Sequence, residues 1–305
     1  MPTTWYIGVY IIIIFACIFV QQMNTATTSQ SSTTRLDRWQ TNWNEGRYSI
    51  PGQGFHQATV HPYLEKFLPL LNLVSTEHIP NNDIFNQNRI LLPLCGKTVD
   101  MIYLCGKKIN VLGLEAVPRA IEEFGTIIDA VDTDPKGDLK QHILLHKEAQ
   151  HRWIPNNNGV INIIQGDAMT FEIDDKGPLD GIWDRGSLVA IRPEDRVLYV
   201  TMCSNAIKTN GRLLLSVVEH DIMQVQEETI KDDDGEVVNI IPGIPYGPPY
   251  SFTATDVIDL YQGRFKLIKE LIRENKLDDE PRWKSKGATK FEEVCYLLEK
   301  RCEDV

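Results

Sequence analysis

Short apolar runs that alternate with helical patterns fill this sequence from Trp39 onward, and they restrict its fold more than any other feature. The runs span residues 89–94, 110–114, 160–165, 179–183, 211–218, 265–271 and 293–298. This βαβ rhythm is typical of a parallel sheet that is covered by helices on both faces. The sequence therefore predicts an α/β fold with seven strands in one doubly wound, mostly parallel sheet.

Polar residues and glycines follow four of these runs at the points where strands would end. They are the segment 94–97 (LCGK), Glu115, the pair Gly166-Asp167 and the triplet 184–186 (DRG). Open α/β sheets bind ligands outside the carboxyl ends of their strands, near the point where the strand order reverses. We therefore expect the functional site along this edge of the sheet.

The spacing of Gly96 and Glu115 indicates the kind of ligand. Gly96 lets the backbone approach a ligand closely, and Glu115 follows nineteen residues later, where a carboxylate can accept hydrogen bonds from a ribose diol. A dinucleotide would also need a G-x-G-x-x-G loop for its pyrophosphate, and only one glycine is present. A nucleoside without pyrophosphate, such as S-adenosylmethionine, fits better, with Asp167 accepting from the adenine amino group.

Charge and cysteine content exclude several other classes of protein. The chain has 42 acidic and 31 basic side chains and a formal net charge of −11, which disfavours nucleic-acid binding. Its six cysteines form no CxxC pair, so we expect neither a disulfide framework nor a zinc site. His142, His146 and His151 lack an HExxH pattern, and we interpret them as residues of a solvated helix and expect no metal.

The N-terminus carries an uncharged apolar run over residues 5–20. Its length falls between a signal-peptide core of ~7–15 residues and a membrane span of ~20. Three interpretations are open: a membrane anchor, a cleaved signal, or a segment that is absent because translation starts at Met23. Arg35 and Arg38 favour a cytosolic body if the run is an anchor. We therefore predict that residues 1–34 form an apolar segment and a flexible linker. Residues 35–305 are predicted to form a catalytic domain that is monomeric and lies in the cytoplasm.

Three segments interrupt the rhythm of strands and helices. Residues 125–150 form a polar insertion before the third strand, and a second insertion, 223–243, contains an acidic run at 231–236 that we interpret as a solvated loop. It leads into a stiff, proline-rich loop at 242–250. Since this loop follows the fifth strand, we expect it to cover the ligand edge of the sheet.

Several strings of the sequence resemble the thiopurine S-methyltransferase family. They are LLPLCGKTVDM at 91–101, VLGLEAVPRAIEEF at 111–124, QGD at 165–167, IWDRGSLVAIRPEDR at 182–196, YGPPYSFTATDV at 246–257, WQTNWNEG at 39–46 and FH at 55–56. The similarity spans residues 39–298, nearly the whole body. It implies a Rossmann-like methyltransferase sheet that ends in an antiparallel strand, and S-adenosylmethionine as methyl donor.

The resemblance also implies a set of site residues. Together with Gly96, the residues implied to contact the donor are Trp39, Trp43, Leu94, Glu115, Asp167, Ala168 and Arg185. Phe55 would contact the acceptor ring, and Arg282 matches a second arginine near the acceptor. Phe55 is placed less firmly, because the interval from Gly46 is longer than in the family.

The implied reaction moves a methyl group to the sulfur of an aromatic or heterocyclic thiol. Holding the two sulfurs and the methyl carbon in line can contribute ~7–11 kcal/mol. Arg185 and Arg282 would favour the anionic acceptor electrostatically, and no general base is assigned. Two alternatives remain open: methyl transfer to halide, thiocyanate or selenium species, and a non-catalytic, membrane-tethered binding module.

Overall fold

The computed structural model describes residues 36–48, 56–73, 88–132, 150–153, 160–173, 177–222, 230–231, 237–238 and 247–302. The chain divides into two compact units, of which the first ends at Arg47 and the second begins at Tyr48. The described part of the first unit is a helix, α1, over residues 36–44 and the turn that follows. The predicted sheet lies in the second unit.

Ten strands are found in the described residues. They are β1 (Arg89–Pro93), β2 (Asn110–Glu115), β3 (Gln150–Trp153), β4 (Ile161–Gln165), β5 (Leu179–Arg185), β6 (Ile207–His220), β7 (Ile230–Lys231), β8 (Val237–Val238), β9 (Phe265–Asn275) and β10 (Phe291–Lys300). Eight of them form one sheet in the order β3-β4-β2-β1-β5-β6-β10-β9, and β7 pairs with β8 in a separate ribbon.

The strand directions confirm the predicted mostly parallel sheet with an antiparallel last strand. Neighbours from β4 through β2, β1 and β5 to β6 are parallel. The last strand, β10, runs antiparallel to both β6 and β9. All seven predicted strands are therefore present. Their order reverses between β1 and β5, because the chain builds outward from β1 to β4 and then crosses back to place β5 on the other side of β1.

Helices cover both faces of the sheet, as predicted. Those described in the second unit are α2 (Pro62–Phe67), α3 (Asp100–Gly106), α4 (Pro118–Asp132), α5 (Arg196–Ala206), α6 (Ala254–Tyr261) and α7 (Pro281–Ser285). One core layer joins α2, α3 and α4 to the sheet through Phe67, Leu104 and Phe124. The other joins α5 and α6 through Tyr199 and Tyr261. Successive side chains of a strand point to opposite faces, so each central strand contributes to both layers.

The insertion predicted at 125–150 is wrong at both of its ends. Helix α4 continues to Asp132, because Ile128 extends the buried face that Ile121 and Phe124 begin, at the spacing of a helix. At the other end, Gln150–Trp153 form β3, which pairs antiparallel with β4 and adds an eighth strand to the sheet. His151 therefore lies in a strand and not in the predicted helix.

The second insertion also differs from its prediction. Strands β7 and β8 pair antiparallel, Ile230 with Val238 and Lys231 with Val237. Lys231, the first residue of the predicted loop, therefore lies in a strand. Residues 232–236 and the N-terminal run 5–20 lie outside the described residues. Within the described ranges, no helix combines the length and apolar character that crossing a bilayer requires.

Candidate active site

The segment after β1 adopts an unusual backbone conformation at the predicted ligand edge. Leu94 has a φ of 44° and Gly96 a φ of 51°, both in the left-handed region. The conformation costs glycine little, whereas for a residue such as Leu94 it costs roughly 1–3 kcal/mol, and such strain concentrates at ligand-binding segments. The Cys95 N–H donates to the Leu114 carbonyl at 3.0 Å and fastens the segment to β2.

Glu115, at the carboxyl end of β2, binds the same segment through its side chain. Its Oε2 accepts from the Gly96 N–H at 2.9 Å, and its Oε1 accepts from the Val117 N–H at 2.8 Å. Burial raises the pKa of this carboxyl, and the backbone N–H donors partly offset that rise. The spacing of nineteen residues thus places Gly96 and Glu115 in direct contact.

The end of β4 completes this group of strand ends. The Gly166 N–H donates to the Glu115 carbonyl at 2.9 Å. Asp167 begins a short 3₁₀ helix, Ala168–Thr170, and its side chain accepts from the Met169 N–H at 3.0 Å. Leu94, Gly96, Glu115, Asp167 and Ala168 therefore all lie at the carboxyl ends of three adjacent strands, with Ala168 buried. Their contact with a methyl donor stays a prediction.

The end of β5 is held by an aspartate that sequence reasoning did not assign. Asp184 is fully buried and accepts from the Tyr199 hydroxyl at 2.7 Å and from the backbone N–H groups of Ser187 and Leu188 at 3.2 Å. Burial raises its pKa to about 6, against the lowering effect of these donors. The Ser187 hydroxyl donates to the Pro93 carbonyl at 2.7 Å, which ties the turn after β5 to β1.

Arg185 and Arg282 line one cavity of about 290 Å³, next to these strand ends. Arg185 is half-buried at the end of β5. Burial lowers its pKa, and nearby carboxylates, Glu293 first among them, oppose that shift. Arg282, on α7, forms an ion pair with Glu280 at 3.1 Å. The two arginines that the resemblance implied are thus brought together, although 97 residues separate them in the sequence.

Other residues of this cavity were missed in the sequence. His61, Tyr63, Ser216 and Glu293 line it together with the two arginines. A signal existed for Glu293, because alternation along β10 puts it on the same face as the buried Cys295 and Leu297. For the other three residues, of which His61 and Tyr63 belong to the start of α2 and Ser216 to β6, we find no local pattern.

His56, which belongs to the FH string, lies close enough to Lys97 and Arg185 for their charges to act on its side chain. Burial, followed by the charges of Lys97 and Arg185, lowers its pKa to about 4. It is therefore neutral at physiological pH and within the electrostatic influence of both the β1 segment and the cavity. Its neighbour Phe55 lies outside the described residues, so the predicted contact of Phe55 with an acceptor has no structural counterpart here.

The remaining predicted site residues are Trp39 and Trp43. Both lie on α1 in the first unit, where Trp43 is buried. Their contact with the donor stays a prediction. For metals, the described part of the chain contains no group of three His, Cys, Asp or Glu side chains that could hold an ion. His142 and His146 lie outside that part.

The geometry therefore provides two adjacent subsites with different chemistry. The ends of β1, β2 and β4 offer a fixed carboxylate, that of Glu115, and a backbone at Gly96 that a ligand can approach closely. Both features suit a nucleoside. The cavity is lined by three cationic side chains, by four carboxylates and by apolar groups, and it suits a small polar ligand that offers negative charge to a guanidinium group. The charged side chains are Arg185, Lys276, Arg282, Glu274, Asp279, Glu280 and Glu293. A nucleoside-type methyl donor beside an acceptor is the arrangement that this combination supports.

Comparison with known proteins agrees with this reading. The family model described as thiopurine S-methyltransferase (TPMT) matches residues 34–228. A thiopurine S-methyltransferase of Xanthomonas axonopodis pv. citri is 30% identical over 87% of this chain and 97% of its own length. One from Bordetella pertussis is 27% identical over 87% of this chain and 98% of its own length.

Solved structures agree in fold. The 1,6-didemethyltoxoflavin-N1-methyltransferase of Burkholderia thailandensis, with bound 1,6-didemethyltoxoflavin and S-adenosylhomocysteine, superposes with a TM-score of 0.53 at 12% identity, covering 90% of both chains. A SAM-dependent methyltransferase of Methanosarcina mazei gives 0.51 at 15% identity, covering 80% of this chain and 99% of that one. The predicted Rossmann-like methyltransferase fold is confirmed.

Proposed function

Because the chain belongs to the thiopurine S-methyltransferase family and is an S-adenosylmethionine-dependent methyltransferase, we propose that it methylates the sulfur of aromatic or heterocyclic thiols. The observation that carries the proposal is the cavity shared by Arg185 and Arg282. Their guanidinium groups offer positive charge to the acceptor sulfur, which carries full negative charge in a thiolate, the reactive form of a thiol, and partial negative charge in a neutral thione.

The strand ends fit the methyl donor. The donor supplies an electrophilic methyl group on a sulfonium sulfur. We propose that Leu94 packs against its methionine part, that Glu115 binds its ribose and that Asp167 and Ala168 flank its adenine. The contact of Gly96 with Glu115 supports this assignment, because it fixes a carboxylate at the edge where a ribose diol would bind. Trp39 and Trp43 are proposed to close over the donor.

The acceptor subsite contributes orientation and charge. Arg185 ends β5 and lines the cavity, so we propose that it contacts the donor and also stabilises negative charge on the acceptor sulfur. Arg282, which lines the same cavity, is proposed to stabilise that charge as well, and Phe55 is proposed to contact the acceptor ring. With the acceptor sulfur held in line with the methyl group, positioning alone can contribute ~7–11 kcal/mol to catalysis.

Methyl transfer from radiolabelled S-adenosylmethionine to a panel of thiols tests the proposal. The panel should include thiophenols, heterocyclic thiones, thiocyanate, iodide and selenite, with the labelled product identified in each case. Methylation of the aromatic and heterocyclic thiols supports the proposed function. Methylation confined to the inorganic nucleophiles would show that the acceptor class is wrong, and no transfer at all would favour a binding module.

Variants locate the reaction in the cavity. Arg282→Ala should reduce thiol methylation by about ten-fold or more, as for a lost charged hydrogen bond of ~1.5–3 kcal/mol, and leave the affinity for S-adenosylhomocysteine unchanged. Arg264→Ala, which changes an exposed arginine in the turn before β9, is the matched control. Equal activity of both variants with every thiol would remove Arg282 from the proposed site.

We propose residues 35–305 as the catalytic domain, acting in the cytoplasm where the methyl donor is made. The match of the family model from residue 34 supports this division of the chain.

A further inference from the structure

One carboxylate of the acceptor cavity, that of Glu293, is held by two hydrogen-bond donors. Its Oε1 accepts from His61 Nε2 at 2.9 Å and from the Ser216 hydroxyl at 3.0 Å. The side chain is 17% exposed and lines the cavity together with Arg185 and Arg282. The carboxylate is therefore fixed in position while it remains accessible from the space where an acceptor would bind.

The tautomer of His61 follows from its second contact. The Tyr63 N–H donates to His61 Nδ1 at 3.2 Å, so Nδ1 carries a lone pair and the proton of the ring is on Nε2. His61 is only 2% exposed, and its own backbone N–H donates to Asp100 Oδ1 at 2.8 Å. The histidine thus acts as a rigid donor that orients Glu293.

The surroundings keep Glu293 ionised. Burial raises its pKa, but the hydrogen bond from His61, the charge of Arg185 and the hydroxyl of Ser216 outweigh burial and leave the pKa below its ordinary value. An ionised carboxylate can only accept hydrogen bonds. Because His61 and Ser216 both donate to Oε1, a ligand that excludes water from Glu293 must present a donor to Oε2 or leave that oxygen desolvated, which is costly.

We propose that Glu293 accepts a hydrogen bond, and then the proton, from an N–H group beside the acceptor sulfur, and so makes the enzyme prefer heterocyclic thiones. This inference rests on the proposed function and adds a specificity-determining residue to it. A thione carries its exchangeable hydrogen on the ring nitrogen next to the C=S carbon. Arg185 on one side and Glu293 on the other would distinguish the sulfur of such a ring from its nitrogen.

The proton transfer balances the methyl transfer. The thione sulfur forms a bond to the methyl carbon, while the bond from that carbon to the donor sulfur breaks and its electron pair neutralises the sulfonium. The methylated ring is then a cation whose N–H is strongly acidic, so a carboxylate is a sufficient base. The N–H proton passes to Glu293 and from there to water, leaving a neutral S-methyl heterocycle and S-adenosylhomocysteine.

The test compares two acceptors in one variant. Glu293→Gln keeps the size of the side chain and an oxygen for His61 and Ser216 but removes the negative charge. With pyridine-2-thione, which has the N–H, kcat/KM should fall about ten- to a hundred-fold, as expected for a lost hydrogen bond to a charged group. With thiophenol, which lacks the N–H, it should stay within about two-fold of wild type.

A neighbouring residue provides the matched control. Glu292 is adjacent in β10 but forms ion pairs with Arg273 at 2.6 Å and Lys290 at 3.3 Å, and it does not line the cavity. Glu292→Gln should leave kcat/KM for both acceptors unchanged. Calorimetry with S-adenosylhomocysteine shows that each variant is folded, and Glu293→Asp, which keeps a carboxylate, should retain more thione activity than Glu293→Gln.

The remaining outcomes overturn the inference in different ways. An equal fall with both acceptors would make Glu293 a structural residue, and no fall with either would remove it from the acceptor site. Equal losses in Glu293→Asp and Glu293→Gln would contradict a role for the charge. If the wild-type protein methylates neither probe, the proposed function is wrong, and the inference about Glu293, which depends on it, is wrong as well.

Discussion

At the scale of single residues, the segment after β1 packs so tightly against β2 that Gly113 has no room for a side chain. A Cβ atom on Gly113 would lie 2.8 Å from Cys95 Sγ and 3.1 Å from Ile163 Cγ1, both closer than such atoms normally approach. We expect Gly113→Ala to lower the free energy of unfolding by about 1–3 kcal/mol, as overpacked cores do. Because Cys95 precedes Gly96, the variant should also bind S-adenosylhomocysteine more weakly. Urea unfolding and calorimetry measure the two effects.

Gly106, at the end of α3, is the control for this prediction. A Cβ atom there meets nothing within 4 Å, so Gly106→Ala should change neither stability nor donor affinity appreciably. If Gly113→Ala behaves like Gly106→Ala, the close packing of Cys95 against β2 is not what fixes the donor segment.

The buried Asp184 gives stability a pH dependence of predictable sign. The folded protein holds the proton of this carboxyl up to about pH 6, whereas the unfolded chain releases it near the ordinary pKa of 3.8. The folded state therefore binds more protons than the unfolded chain between these values, and the contribution of Asp184 to the free energy of unfolding falls as the pH rises through this range. Asp184→Asn removes this dependence.

Urea unfolding of both proteins at about pH 4 and about pH 7 measures the effect. The stability of wild type relative to Asp184→Asn should be greater at the lower pH than at the higher one. A difference that does not vary with pH would show that Asp184 ionises at its ordinary pKa in the folded protein.

What the sequence could reveal about single residues depended on their position in the chain. Glu115, Asp167 and Arg185 could be found because each follows an apolar run, and strand ends are where such folds bind ligands. The contact between His61 and Glu293 could not be predicted, because 232 residues separate them and only the folded sheet brings the carboxylate to the imidazole. Their contact is a property of tertiary structure.

At the scale of elements, apolar runs identified the six strands that have neighbours on both sides, and also β9 at one edge. The strand that was missed, β3, lies at the other edge of the described sheet, pairs there with β4 and has the polar sequence QHRW. Its side chains form no apolar pattern, so backbone pairing alone distinguishes it from a loop. The end of α4 was misplaced for a different reason, because residues from 125 onward were assigned to a polar insertion although the apolar spacing of the helix continues to Ile128.

At the end of β6, His220 contacts two other elements that border the cavity, and its role in positioning them can be tested. His220 Nε2 donates to the Pro249 carbonyl at 3.0 Å, and its ring stacks on Trp283 with a centroid distance of 5.0 Å. Pro249 lines the cavity, and Trp283 follows Arg282 on α7. His220 therefore connects the end of the proline-rich loop to the helix that carries an acceptor-site arginine.

We expect His220→Phe to keep the ring stack and lose the hydrogen bond, leaving the buried Pro249 carbonyl without its donor. The free energy of unfolding should fall by about 1–3 kcal/mol, and KM for the thiol should rise more than kcat falls. Urea unfolding and steady-state kinetics measure these changes. His151→Phe in β3, at the far edge of the sheet, should alter neither KM nor kcat. Unchanged KM in His220→Phe would show that the loop is positioned without this bond.

At the scale of the whole molecule, the catalytic unit should not need the N-terminal segment. Deletion of residues 1–34 should leave kcat and KM for thiol methylation unchanged, because all the residues that we assign to the donor and the acceptor, from Trp39 onward, follow residue 34. Membrane fractionation of cells that express both forms is the second measurement. Any membrane-bound fraction of the full-length protein should move to the supernatant on deletion. Loss of activity in the shortened protein would place part of the site in residues 1–34.

The order of the strands has a consequence for how such an enzyme can diversify. The segments that we assign to the donor follow β1, β2 and β4, whereas Ser216, Pro249, Arg282 and Glu293 come from the part of the chain that begins with β6. A recombination point between these parts would exchange these four wall residues and leave the donor loops intact, together with His61, Tyr63 and Arg185 of the cavity. Descendants of one ancestral gene could in this way acquire new small-molecule targets by inheriting a different C-terminal third.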